Sequence, residues 1–175
     1  MVTAVTDQAM AWDVAASTPD PELPALTIGD LGILRSVHYF PGREHGKDGE
    51  VVVTITPTYS GCPAMREISA DVRSRLIRAG FPQVTVRTQL SPAWSTDWIT
   101  PAGRRKLTRS DIVPPPRAPS RTGPVPLTLG RAPSPRCPRC DSPETRLTAQ
   151  FGATACKSLH RCTACGEPFE AVKAI

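Results

Sequence analysis

The clearest period along the chain lies at 64–79, where Met65, Ile68, Val72, Leu76 and Ile77 recur at helical spacing with arginines between them. That pattern predicts an amphipathic helix. Pro63 suits its first turn, where a missing N–H costs no hydrogen bond, and Gly80 ends it as a C-cap glycine does. A shorter amphipathic helix is predicted over 6–16, with Ala9, Met10, Trp12 and Val14 among its apolar positions. Residues 51–56 read Val-Val-Val-Thr-Ile-Thr and predict a strand over 50–56, because β-branched side chains fit a pleated surface. Further strands are predicted around 33–40 and over 84–90, and a short basic helix over 101–109. The order α-β-β-α-β-α describes a small α+β layer rather than a doubly wound sheet.

The segments between these elements are set by proline and glycine. Pro19, Pro21 and Pro24 forbid helix and central strand alike, so 19–24 is a loop. Residues 41–49 form a polar turn region, and 57–61 a tight loop. An irregular loop over 91–99 carries Trp94 and Trp98, which serve either as anchors of a small core or as a partner surface. Residues 114–135 hold eight prolines in 22 positions, with Gly, Ser and Arg, which describes an extended, solvated linker. The organisation is therefore a domain over 1–112, a Pro/Arg-rich linker over 113–135, and a cysteine-rich unit over 136–175. No internal repeats occur.

Composition changes this picture in one respect. The net charge of +5 invites a nucleic-acid reading. Eight of the 21 basic residues, however, lie within 101–136 beside one acid, Asp111, and the remainder of the chain carries a net −2. Those basic residues lie among prolines and lack an aromatic stacking platform, so nucleic acid is not the expected partner. Arg104-Arg105-Lys106 is either a docking patch for an acidic or phosphate-bearing partner or a solvated helix face. The first residues lack the basic and apolar regions of a signal peptide. No apolar run approaches the roughly 18 residues of a membrane span. A cytoplasmic location is expected, where thiols stay reduced and the six cysteines act as ligands or nucleophiles rather than disulfides.

Four of those cysteines form a pattern. Cys137-Pro-Arg-Cys140 and Cys162-Thr-Ala-Cys165 are two C-x2-C pairs, each able to aim both sulfurs at one centre from a tight turn. Gly166 follows the second pair, where the backbone needs a positive φ. Four thiolates in a tetrahedron suit Zn2+, with iron as the competitor. A unit this short has little core, so metal binding supplies much of its folding free energy. Cys156 is either a buried apolar residue or an alternate ligand. His160 is either exposed or a substitute ligand.

Cys62 stands apart, after Ser60-Gly61 and before Pro63, at the predicted start of the long helix. A helix N-terminus lowers a thiol's pKa, and Gly61 lets another molecule approach the backbone closely. Those features predict an accessible, thiolate-prone cysteine, a better ligand for loosely held iron than a hydrolase nucleophile, since His38 and His45 lack motif context. The alternative is a buried small hydrophobe.

Several motifs together carry a resemblance. Asp20-Pro21-Glu22-Leu23-Pro24, then Asp30-Leu31-Gly32, then Thr58-Tyr59-Ser60-Gly61-Cys62-Pro63 resemble the small metal–sulfur cluster assembly domain of the SufT type. The stretches 57–65, 90–99 and 103–107, with Phe151-Gly152 and Cys156-Lys157, are similar to one branch: the D subunits of phenylacetyl-CoA 1,2-epoxidases. The resemblance covers nearly the whole chain. It implies an assembly-factor domain followed by a zinc-ribbon-like domain, in an accessory, non-catalytic component of a multicomponent monooxygenase of aerobic phenylacetate degradation. Cys62 is then the ligand for transient iron or an iron–sulfur cluster, with Asp20 and Glu22 helping to shape that site. Cys137, Cys140, Cys162 and Cys165 hold the tail metal. The other epoxidase subunits, above all the iron–sulfur flavin reductase, are the implied partners. The competing reading is a structural or docking subunit of the oxygenase. The chain departs from the family pattern at Asp111, where a glycine is expected. It also contains no Glu-x-x-His pair for a di-iron carboxylate site and no Gly-x-Gly-x-x-Gly for a dinucleotide.

Overall fold

A computed structural model describes residues 2–42, 49–117 and 134–174, with backbone alone for 2–5. Most of the turn expected over 41–49, including His45, and residues 118–133 of the expected linker lie outside the described residues. The chain divides into two compact units, Met1–Gly103 and Arg104–Ile175. The residues over 104–112, expected with the first domain, fall in the second unit.

The first unit is a three-stranded sheet with two helices on one face. Helix α1 (Val2–Ala16) lies on strand β1 (Leu34–Phe40), helix α2 (Ala64–Arg78) lies on β3 (Gln83–Thr88), and the two helices touch. The sheet order is β1-β2-β3, with β2 spanning Glu50–Ile55. β1 and β2 are antiparallel, and β2 and β3 are parallel across the α2 crossover. Val51, Val53 and Ile55 of the central strand are fully buried beneath the helices. Each such side chain contributes on the order of 1.5–3 kcal/mol relative to exposure.

The α2 helix buries Ala64, Ile68, Val72 and Leu76, a strict every-fourth-residue stripe. Ile77, expected on that stripe, is 48% exposed, because it sits one position past Leu76 and so rotates off the packed face. The helix ends in a Schellman motif: the Phe81 N–H donates to the Leu76 carbonyl at 3.0 Å and the Gly80 N–H to that of Ile77 at 3.0 Å. Gly80 has φ +99°, as that motif requires. In α1 the expected apolar positions are corrected. Ala11 and Ala15 are buried, whereas Ala9, Met10 and Trp12 face outward. Small side chains let the helix backbone approach β1, and the larger ones then fall on the open side.

The proline loop after α1 is packed rather than solvated, with Leu23, Leu26, Ile28, Leu31 and Ile33 all buried. Trp94 is a core anchor: it is buried, and its Nε1 donates to the Leu31 carbonyl at 2.9 Å. Trp98 is half-buried in a 3-10 turn (Thr96–Trp98), with the Arg35 guanidinium 3.6 Å from its ring centroid.

The second unit contains most of helix α3 (Pro101–Arg109) and a four-stranded sheet in the order β4-β7-β6-β5. Its strands are β4 (Ile112–Val113), β5 (Thr145–Ala149), β6 (Lys157–Cys162) and β7 (Pro168–Val172). Asp111 has φ 56° just before β4. The position is left-handed, and aspartate is one of the few side chains that tolerate it. Arg104 donates to the Pro115 carbonyl, so it is committed to the backbone, whereas Arg105 is exposed. The core is Cys137, Cys162 and Phe169, with Val113 packed against it. Lys157 and Glu170 form an ion pair at 2.7 Å, and the same carboxylate accepts the Ala153 N–H at 3.0 Å, tying the 151–157 turn to β7.

Candidate functional site

The C-terminal unit brings Cys137, Cys140, Cys162 and Cys165 together, with all four sulfurs within 4.8 Å of one another. Cys137 and Cys165 are 3.7 Å apart, and Cys140 and Cys162 3.6 Å. A tetrahedron with metal–sulfur bonds of about 2.3 Å has edges of about 3.8 Å, so the spacing fits one ion. A cubane cluster, which puts each thiolate on a different iron, needs a wider set. Both turns are built alike. In the first, the Asp141 N–H bonds the Cys137 carbonyl at 3.0 Å, and in the second the Gly166 N–H bonds that of Cys162 at 3.1 Å. The N–H groups of Cys165 and Ala164 point at the Cys162 sulfur and lower its pKa, while contact with the neighbouring thiols leaves those of Cys140 and Cys165 raised.

Neither alternate ligand joins this set. His160 is buried rather than exposed: it stacks on Phe169, with centroids 5.5 Å apart, and its Nε2 meets Ser158 Oγ at 2.9 Å. Cys156 is half-buried, with its sulfur 3.0 Å from Thr154 Oγ1.

The second candidate centre lies at the start of α2. The Cys62 N–H bonds the Tyr59 carbonyl at 3.2 Å, closing a four-residue turn with Gly61 at φ +84° in its third position. Nothing lies within 4 Å of where a Gly61 side chain would point, so that side of the loop is open. Pro63 caps α2 without a side-chain hydrogen bond, and the Ala64 N–H turns toward the Cys62 sulfur. The expected low thiol pKa is not found. Cys62 is half-buried, and burial pushes its pKa up. The Ala64 N–H and the Thr58 and Tyr59 hydroxyls pull the other way without overcoming it, while the Glu22 carboxylate adds to the rise. Helix position alone could not reveal this, because burial, the larger cause, and the charge from a loop forty residues earlier both arise only in the folded chain.

Asp20 is buried, and its Oδ1 accepts the N–H groups of Glu22 at 2.9 Å and Leu23 at 2.8 Å. Burial raises its pKa, the two amides oppose that, and Glu67 in the first turn of α2 raises it further. Asp20 therefore sets the loop that carries Glu22 toward Cys62. Among the described residues, the four tail cysteines make the one group of three or more His, Cys, Asp or Glu with all ligand atoms within 4.8 Å. Asp20, Glu22 and Cys62 share a neighbourhood but do not converge that closely. Glu67, Thr58 and Tyr59 join that neighbourhood without being singled out by the sequence. The one available signal is that Thr58 and Tyr59 lie within the turn motif itself.

The chain thus combines a small α+β layer, with one thiol at a helix start beside an acidic loop, and a separate ribbon that gathers four cysteines. Residues 12–87 match the family described as iron–sulfur cluster assembly protein, and residues 121–173 match the PaaD zinc beta ribbon domain. The chain is 43% identical over 164 residues to an Escherichia coli (strain K12) protein described as a candidate D subunit of 1,2-phenylacetyl-CoA epoxidase, covering 94% of this chain and 91% of that one. It belongs to the family of these epoxidase D subunits. It is also 34% identical over 82 residues to an iron–sulfur protein maturation auxiliary factor of Porphyromonas gingivalis, covering 46% of this chain and 71% of that protein. The fold resembles the crystal structure of a domain of unknown function from Bacillus anthracis, with a TM-score of 0.52 and 22% identity, over 61% of this chain and 95% of that one. Among the described residues, no helix is long and apolar enough to cross a membrane.

Proposed function

We propose that this chain is a non-catalytic, cytoplasmic accessory component of a phenylacetyl-CoA epoxidase system that helps to assemble its iron or iron–sulfur centres. The carrying observation is Cys62, presented on an open glycine turn beside Glu22, within the stretch that matches the iron–sulfur assembly family. Iron or a cluster is cargo here. Cys62 gives up its proton on loading and recovers it on release. Burial and Glu22 favour the protonated thiol, so the grip is weak and the cargo transferable. A cationic cargo turns the same Glu22 charge from a penalty into an attraction. Asp20 holds the loop that positions Glu22. The tail ion is zinc, held by Cys137, Cys140, Cys162 and Cys165, and its part is structural, since four protein thiolates leave no open coordination position. The recipient is another subunit of the system, with the iron–sulfur flavin reductase as the leading case.

A second reading, a docking subunit of the oxygenase, draws on the compact ribbon. Purifying the reductase and oxygenase from cells lacking this chain separates the two. Assembly predicts iron-deficient subunits, which overturns docking. Fully loaded subunits that no longer co-purify as one complex overturn assembly.

A further inference from the structure

β3 is the last strand of the three-stranded sheet, and among the described residues it pairs with β2 alone. The Gln89 N–H donates to the Ile55 carbonyl at 2.8 Å, so the odd residues along β3 direct their backbone groups at β2. Successive residues alternate sides, and the N–H and C=O groups of Val84, Val86 and Thr88 therefore point out from the open edge. Beside that edge runs a groove of about 470 Å³, lined by Ser69, Ala70, Arg73, Ser74, Ile77, Arg78 and Val86. Val86 belongs to both features: its backbone faces the edge and its side chain lines the groove.

The lining has an apolar floor and no acid. Ile77, a large apolar side chain in the groove lining, is 48% exposed among the described residues. Arg73 has no ion pair among the described residues, and Arg78 reaches Asp71 only at 4.0 Å. Exposed edge strands are commonly blunted by charge or covered, and they are also templates for strand addition. The charged side chains that line this groove, Arg73 and Arg78, are of one sign.

We propose that this edge and groove bind an extended acidic segment of a partner protein as a fourth strand. Its backbone pairs with Val84, Val86 and Thr88. Alternate side chains enter the groove, where apolar ones cover Ile77 and Val86 and carboxylates meet Arg73 and Arg78. Charge complementarity selects an acidic segment over a neutral or basic one. This inference does not rest on Cys62 and stands or falls separately from the assembly reading.

The probe is a labelled synthetic peptide of alternating Glu and Val, titrated into the full-length, metal-loaded chain and followed by fluorescence anisotropy and by 15N amide shifts. Saturable binding is expected, with shifts centred on Val84, Val86 and Thr88, and at least a tenfold weakening in the Arg73→Glu/Arg78→Glu double variant. Circular dichroism and metal content of that variant should match the parent, because both arginines are exposed. Three results overturn the proposal. They are no saturable binding, equal binding of the Lys/Val peptide, and undiminished binding of a Glu/Val peptide whose edge-facing amides are N-methylated.

Discussion

Asp141 and Gly166 occupy the same station in the two cysteine turns, each following the second cysteine of its pair and each at positive φ, 56° and 80°. Arg136 grips the exposed Asp141 with two bonds, of 2.7 and 3.0 Å, which helps to hold a non-glycine residue there. A β-branched side chain in this region costs about 1–2 kcal/mol. Gly166→Val should therefore weaken zinc retention in a chelator competition by roughly fivefold to thirtyfold, whereas Asp141→Gly should leave it nearly unchanged.

Cys140→Ser removes one of four thiolates from a unit whose core is little more than Cys137, Cys162 and Phe169. Metal binding supplies on the order of 10 kcal/mol to structural sites of this kind. The variant should lose the tail metal by elemental analysis, and limited proteolysis should cut within 137–172 while the 1–103 unit survives.

How much was legible in the sequence follows from how local each signal is. The α2 helix, its stop at Gly80 and the β2 strand are written in short-range periods, and the structure bears them out. The two-residue β4 carries no period, and its pairing with β7 depends on residues nearly sixty positions away. The outward Met10 and Trp12 run against the usual burial of large apolar side chains, because Ala11 and Ala15 pack more closely on β1. The clustering of the four tail cysteines was readable because each C-x2-C pair sets two thiols on one turn. The chemistry of Cys62 was not, since half-burial and Glu22 reverse what its helix position implies.

Leu76 is fully buried and also contributes the carbonyl that caps α2. Leu76→Ala should destabilise the first unit by about 2–5 kcal/mol. Denaturant unfolding should report that loss with the tail metal still bound.

The raised Cys62 pKa gives a pH dependence of definite sign. In a Cys156→Ser background with zinc masking the tail thiols, alkylation of Cys62 should reach half its maximal rate above the ordinary thiol value of 9.0. Glu22→Gln removes a negative charge that disfavours the thiolate, so the midpoint should move down. A midpoint that stays in place would show that Glu22 does not act on this thiol.

Anaerobic reconstitution of the zinc-loaded chain with ferrous iron and sulfide puts the central reading to its most direct test. Iron content and the visible absorption spectrum are measured for the parent and for Cys62→Ser. The account predicts iron bound in addition to the tail zinc, with a cluster chromophore, and loss of both in Cys62→Ser while zinc stays at one per chain. Equal iron uptake and an unchanged spectrum in Cys62→Ser would contradict it.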